Sequence, residues 1–131
     1  MILLDTHAIL WLTVKPERLS RAAVRAIKRA ERGDGLAISS ITLWEIAHLV
    51  DDGRIKVQGS TEKFLESLCQ SPGLTLLEIT PEVAALAFQF PPDFPRDPAD
   101  RLIGATARAH GIPVVTKDQP MQDCPLLDTV W

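Results

Sequence analysis

The fold is decided at the start of the chain, in Met1-Ile2-Leu3-Leu4-Asp5-Thr6-His7-Ala8-Ile9-Leu10-Trp11-Leu12. Ile2 to Leu4 fit a short strand buried on both faces, and the run stops on a carboxylate. The apolar stretch Ala8 to Leu12 follows closely and predicts a helix from about His7 to Leu12, ended by Pro16. A strand that gives way to a helix through an acid is the opening unit of a parallel α/β sheet, and the same unit recurs downstream.

Ser20 is placed to cap a helix over Arg21 to Glu31, with Ala22, Ala23, Ile27 and Ala30 on its apolar face and Gly33-Asp34-Gly35 as its breaker. Leu36 to Ser39 reads as a second strand, Ile41 to Val50 as an apolar helix stopped by Asp51-Asp52-Gly53, and Thr61 to Gln70 as a further helix. A third strand spans Leu74 to Ile79, and Pro81 starts a short helix reaching about Phe90. After the Pro-rich loop PPDFPRDP comes a helix from Pro98 to His110, closed by Gly111, then a strand over Ile112 to Thr116 and a fifth over Leu126 to Val130. Strands apolar along their whole length, alternating with helices, predict an α/β, three-layer fold with a central parallel sheet of four to five strands.

At 131 residues one domain, 1–131, is expected, with no repeat or low-complexity tract to divide it. No segment has the roughly 20 apolar residues of a membrane span. The N-terminus lacks a basic region followed by a small-residue cleavage site, so a cytoplasmic location and no membrane association are expected. Cys69 and Cys124 stand apart with no CxxC neighbour, which points to neither zinc nor a disulfide. The net charge of −3 gives no global attraction to nucleic acid, yet the stretch Lys15 to Arg32 alone carries Lys15, Arg18, Arg21, Arg25, Lys28, Arg29 and Arg32. It suits either a solvated helix face or contact with phosphates or an acidic partner.

In open parallel sheets, ligands bind beyond the carboxyl ends of the strands where strand order reverses. Asp5 stands at one such end, and Thr116-Lys117-Asp118 at another; each Asp has an N-cap or Asx-turn as its structural alternative. Glu45 shares a helix row with Ile41 and Leu49 and is expected to be part-buried, with a positive group facing it. Its alternative is a capping box with Thr42. Asp97, before Pro98, reads equally as a cap or a ligand. Asp100, in a row with Ile103, Gly104 and Ala107, is expected to face inward, with the small residues allowing close approach to the sheet. Carboxylates converging without a basic residue among them repel one another unless a divalent cation neutralises them, and an all-oxygen set suits Mg²⁺ or Mn²⁺. His7, His48 and His110 show no metal-binding spacing.

With these residues in view, the chain resembles a PIN-domain ribonuclease, in particular a VapC-type toxin of toxin-antitoxin pairs. The resemblance rests on MILLDTHAILWL, ISSITLWEIAHLVDDGRI, RDPADRLIGATARAHGIPVVTKD and a last strand ending in Trp131. It implies that Asp5, Glu45, Asp100 and Asp118 are the catalytic acids, that Asp5, Asp100 and Asp118 bind metal with Asp97 as an extra acid, and that Glu45 orients water or holds a second ion. It implies in-line hydrolysis of RNA to a 5′-phosphate and a 3′-hydroxyl. Thr116, Arg96, Arg101 and Lys117 are then the candidates for substrate contact, with Arg18, Arg21 and Arg25 further out, while Arg101 is equally placed for a structural ion pair. A partner antitoxin is implied, and Trp11, Leu12, Arg21 and Arg25 are the expected contact residues. A homodimer through a separate apolar face is expected as well. One departure is Pro95, where the subgroup commonly has His. Two other classes stay open: a Mg²⁺-dependent phosphohydrolase or phosphotransferase, although Asp5-Thr6-His7 is not the DxD such enzymes carry, and a non-catalytic α/β interaction module whose acids are all helix caps.

Overall fold

The computed structural model describes residues 1–131. Five parallel strands, β1 (Ile2–Leu4), β2 (Leu36–Ser39), β3 (Leu74–Leu77), β4 (Val114–Val115) and β5 (Thr129–Val130), form one sheet in the order β3-β2-β1-β4-β5. The helices are α1 (Thr6–Val14), α2 (Arg21–Glu31), α3 (Ser40–Asp51), α4 (Thr61–Cys69), α5 (Pro81–Leu86), α6 (Pro98–His110) and α7 (Gln119–Gln122), with a 3-10 turn at Pro16–Arg18.

Alternation along the strands divides the core between the two faces of the sheet. Ile2, Leu4, Leu36, Ile38 and Val115 pack with Ala8, Ile27, Ile46 and Leu68 from α1 to α4. Leu3, Ala37 and Val114 point the other way, onto Ile103 and Ala107 of α6, Met121 and Phe94. Three layers result because the central strands have no polar face to leave in water. Val83, Ala87 and Ala105 form a small satellite cluster where α5 meets α6.

The helix starts were legible: Ser20 caps α2 through Ala23 N–H (3.0 Å), and Gly111 ends α6 in the left-handed region at φ 61°. Strand ends differ from expectation for reasons of hydrogen bonding. β3 stops at Leu77 because its partner β2 turns into α3 directly after Ser39, leaving Glu78 and Ile79 without a neighbour. β4 starts only at Val114, because the Ile112 N–H is spent on the Ala107 carbonyl at the end of α6 (3.1 Å) and Pro113 has no N–H. Pro125 and Leu126 form a turn in which Leu127 N–H reaches the Cys124 carbonyl (3.3 Å), so β5 starts only at Thr129. Beyond α5, Arg101 and Arg108 donate to the carbonyls of Ala87 (3.1 Å) and Gln89 (2.6 Å), and the chain turns there instead of continuing as helix to Phe90. Gly104 does not bring α6 onto the sheet as expected; a Cβ there would lie 2.9 Å from Phe90 Cζ and 3.1 Å from Phe94 Cζ, two stacked rings that occupy the space.

Gly35 is the tightest point between strands. Its φ is 91°, and a Cβ would sit 2.8 Å from the Gly73 carbonyl oxygen, the acceptor for Leu36 N–H (2.9 Å). Gly53 has a comparable φ of 72° with nothing within 4 Å of the Cβ position. In urea unfolding, Gly53→Ala should therefore show only the conformational cost of about 1–2 kcal/mol, and Gly35→Ala clearly more. Equal losses would mean that the contact with Gly73 contributes nothing.

Candidate active site

β1 is the switch point of the sheet: β2 and β3 lie to one side of it, β4 and β5 to the other. The crevice beyond the carboxyl ends of β1 and β4 is a cleft of about 810 Å³, and Asp5, Glu45, Asp97, Asp100 and Asp118 all line it. Asp5 extends β1 by one hydrogen bond, its N–H donating to the Val115 carbonyl (3.1 Å), and its Oδ1 accepts the Ala8 N–H (2.7 Å) as N-cap of α1. Asp97 Oδ1 caps α6 through Ala99 N–H (2.8 Å) and Asp100 N–H (3.3 Å), and Asp118 Oδ2 caps α7 through Met121 N–H (2.9 Å). Each of these three acids commits one oxygen to a helix and leaves the other for the cleft.

Glu45 and Asp100 cap nothing. α3 is capped by Ser39, whose Oγ accepts the Ile41 N–H (3.3 Å), so Glu45 is not part of a capping box. No Lys or Arg pairs with it; His7 is the group of positive character that acts on it. Its Oε1 accepts the hydroxyl proton of Thr6, and the close charge contacts of the protein engage other acids, at Met1–Asp34 (3.7 Å) and, when the imidazole is protonated, His48–Asp52 (3.3 Å). Thr6 and Thr42 are buried with their hydroxyls 3.2 Å apart. Since a hydroxyl has one proton, a Thr6 that donates to Glu45 receives from Thr42.

The charges act on one another. Asp5, 8% exposed, has its pKa raised by burial, against the Thr116 hydroxyl, the Ala8 N–H and His7, which lower it, with Asp118 adding to the rise. Burial also raises Glu45, against its bond from Thr6. Asp100 is pushed up to about 7, first by burial and then by the charges of Asp97, Asp118, Glu45 and Asp5.

The other expected contact residues are distributed unevenly. Lys117 lines the cleft, its Nζ 5.9 Å from the Trp11 ring. Thr116 is fully buried and cannot touch a substrate; its Oγ1 accepts the Asp118 N–H (3.1 Å) and so positions that acid. Arg101 forms no ion pair and lies outside the cleft lining: it donates to the Ala87 carbonyl (3.1 Å) and lies 6.0 Å over Phe94. Arg96 is exposed but outside the cleft lining. Arg54, Trp44 and His48 do line it and were missed: Trp44 falls within the apolar run Ile41 to Val50, His48 shows no metal-binding spacing, and Arg54 follows the helix breaker. Trp11 is half-buried and lines both the cleft and an adjoining hollow of about 390 Å³, whose cations are Lys15, Arg18, Arg54 and Lys56. Leu12, Arg21 and Arg25 line neither: Ala23 and Ile27 hold α2 to the core and leave Arg21 and Arg25 on its outer side.

Five carboxylates, none paired with Lys or Arg, in the switch-point crevice of a parallel sheet mark an α/β domain with an acidic cleft, and the sequence gives its family. The chain belongs to the PIN domain family, whose sequence profile matches residues 2–124. It is 42% identical over 132 residues to Ribonuclease VapC22 of Mycobacterium tuberculosis (strain ATCC 25618 / H37Rv), a match covering 99% of this chain and 98% of that protein. Its fold is similar to chains in the crystal structures of VapBC2 from Rickettsia felis bound to a DNA fragment from their promoter (TM-score 0.72, 18% identity, 98% of this chain and 97% of that one) and of FitAcB from Neisseria gonorrhoeae (TM-score 0.65, 25% identity, 98% and 96%).

Because Asp100 holds its proton more tightly folded than unfolded, the folded chain binds more protons between pH 3.8 and about 7. The sign follows: in chelator, stability rises as pH falls through that window, and Asp5 and Glu45 act in the same direction. Asp100→Asn should flatten this dependence and raise Tm at pH 8 by roughly 5 °C. An unchanged pH profile in thermal unfolding would contradict the charge coupling.

Proposed function

We propose that this chain is a divalent-metal-dependent endoribonuclease, hydrolysing RNA phosphodiester bonds in the cleft between β1 and β4, and the toxin of a toxin-antitoxin pair. The observation that carries this reading is a cleft lined by five carboxylates of which none pairs with a cation and two, Glu45 and Asp100, cap no helix. Acids kept only for capping would not include these two. Membership in the PIN domain family and likeness to a protein named as a ribonuclease supply the substrate class. The proposed setting is the cytoplasm, in keeping with the lack of any helix long and apolar enough to cross a membrane. A single PIN domain over 1–131 is part of the same reading.

The donor set fits Mg²⁺ or Mn²⁺, hard cations that take oxygen ligands and retain waters. No three of the side chains are gathered into a finished ligand shell. Asp5, Asp100 and Asp118 would hold the ion, with the free oxygen of Asp97 as a further donor. When bound, such an ion neutralises charge at the phosphate and acidifies water. Glu45 accepts the proton of the attacking water at its carboxylate, whose rotamer is fixed by Thr6 and, behind it, Thr42. Thr116 holds the turn that presents Asp118. Lys117 and Arg54 stand at the rim to meet flanking phosphates.

The antitoxin is proposed to lay an apolar segment with acidic anchors against Trp11 and the basic hollow beside it, covering the cleft. Dimerisation is proposed through a separate surface, with Phe88, 84% exposed beyond α5, as its apolar centre.

Asn retains an acceptor for each helix cap, so Asp5→Asn and Asp118→Asn should fold normally and lose Mg²⁺-dependent cleavage of RNA by at least roughly 100-fold. Asp97→Ser should keep more activity than Asp100→Ser, since Ser replaces the cap that Asp97 makes. Full activity of purified Asp5→Asn protein would remove the site. For the partner, Arg18→Glu combined with Lys56→Glu should weaken co-purification with the antitoxin at least about tenfold, each buried charge contact being worth on the order of 1.5 kcal/mol or more. Arg21→Glu with Arg25→Glu should leave it intact; the reverse pattern would move the contact to α2.

A further inference from the structure

We propose that Trp44 and His48 form a stacking platform for an unpaired base of the RNA entering the cleft; this rests on the ribonuclease reading above. α3 has its buried side at Thr42, Ile46 and Leu49, yet Trp44 on the same helix is 62% exposed. Its indole is not packed under another element. It lies nearly parallel to the imidazole of His48, centroids 5.4 Å apart and planes 13° apart, and His48 Nε2 is 3.3 Å from Asp52 Oδ2. The i, i+4 row Trp44, His48, Asp52 thus presents a flat aromatic face whose orientation is set from beneath.

That face borders the cleft, adjacent in sequence to Glu45, with Arg54 on the same lining and Lys117 near Trp11. An open ring beside carboxylates suited to phosphodiester hydrolysis, in a cleft that Arg54 and Lys117 also line, is the combination that single-strand binders use: bases stack on the ring and cations follow the backbone. Paired bases remain within their own stack and cannot reach it. A tryptophan at the centre of a protein interface would instead be surrounded by apolar side chains, whereas Trp44 shares the cleft lining with Glu45, His48, Arg54 and Asp100.

The test uses the full chain with Mg²⁺ and a short RNA that the wild type cuts, presented free or annealed to its complement. Annealing should slow cleavage at least tenfold. Trp44→Ala should raise KM for the free strand by roughly tenfold or more, a stacked base being removed, with kcat moved much less, and Trp44→Phe should recover most of the loss. His48→Ala, which removes only the support beneath the ring, should raise KM by a smaller factor and serves where Trp44→Ala does not fold. Unchanged KM in the alanine variants, or duplex cut as fast as single strand, overturns the platform while leaving the nuclease standing. So does a Trp44→Ala protein that keeps its KM but loses its antitoxin or self-association, which would make this surface a protein interface. A wild type that cuts no RNA overturns the ribonuclease reading, and this one with it.

Discussion

Like charges held together by the fold are the constraint on which the site depends. Asp5, Asp97 and Asp118 are pinned because each is the N-cap of a helix, at α1, α6 and α7. A cap typically contributes about 1 kcal/mol and fixes the carboxylate where the helix begins. The positive helix termini of α1 and α6 offset part of the repulsion. Burial first, and this remaining repulsion second, raise the proton affinity of Asp5, Glu45 and Asp100. Capping by Asp5 or Asp97 therefore does not compete with the proposed ligand role: the cap bonds engage one carboxylate oxygen, Oδ1 in each.

This double use explains why so much was legible in the sequence. The strand Ile2–Leu4, the strand Leu36–Ser39 and the helices Arg21–Glu31 and Pro98–His110 have the ends read from apolar runs, caps and breakers, because those signals are local. The acid at each strand exit was visible for the same reason. α7 was not foreseen, since four residues carry no periodicity, although Asp118-Gln119-Pro120 has a cap followed by a proline in its first turn as its signal.

What the sequence could not convey is pairing across the fold. Glu45 looked as if it required a cation, on the argument that a part-buried carboxylate needs compensation. The compensation is a hydroxyl from Thr6, at the start of another helix, backed by Thr42. Arg101 beside Asp100 looked like its partner, but a helix turns adjacent residues about 100° apart, and Arg101 is directed to the Ala87 carbonyl. Trp44 sat in an apolar pattern that does not reveal which side of the stripe meets water; only the placement of α3 relative to the cleft shows the indole open to solvent.

The resulting division of charge bears on how an acidic protein takes a polyanion. With a net charge of −3, attraction must be local: Lys117, Arg54 and the hollow of Lys15, Arg18 and Lys56 surround a centre that repels phosphate. On the proposed ribonuclease reading, a cation at the centre would remove that repulsion, so RNA and cation would each raise the affinity for the other by the same factor. Protons compete for the same carboxylates, most strongly at Asp100, whose pKa of about 7 puts half-protonation near neutrality. On that reading cation, proton and RNA would be linked through one group of side chains, and the caps that keep those side chains together would couple the stability of the fold to the occupancy of the cleft.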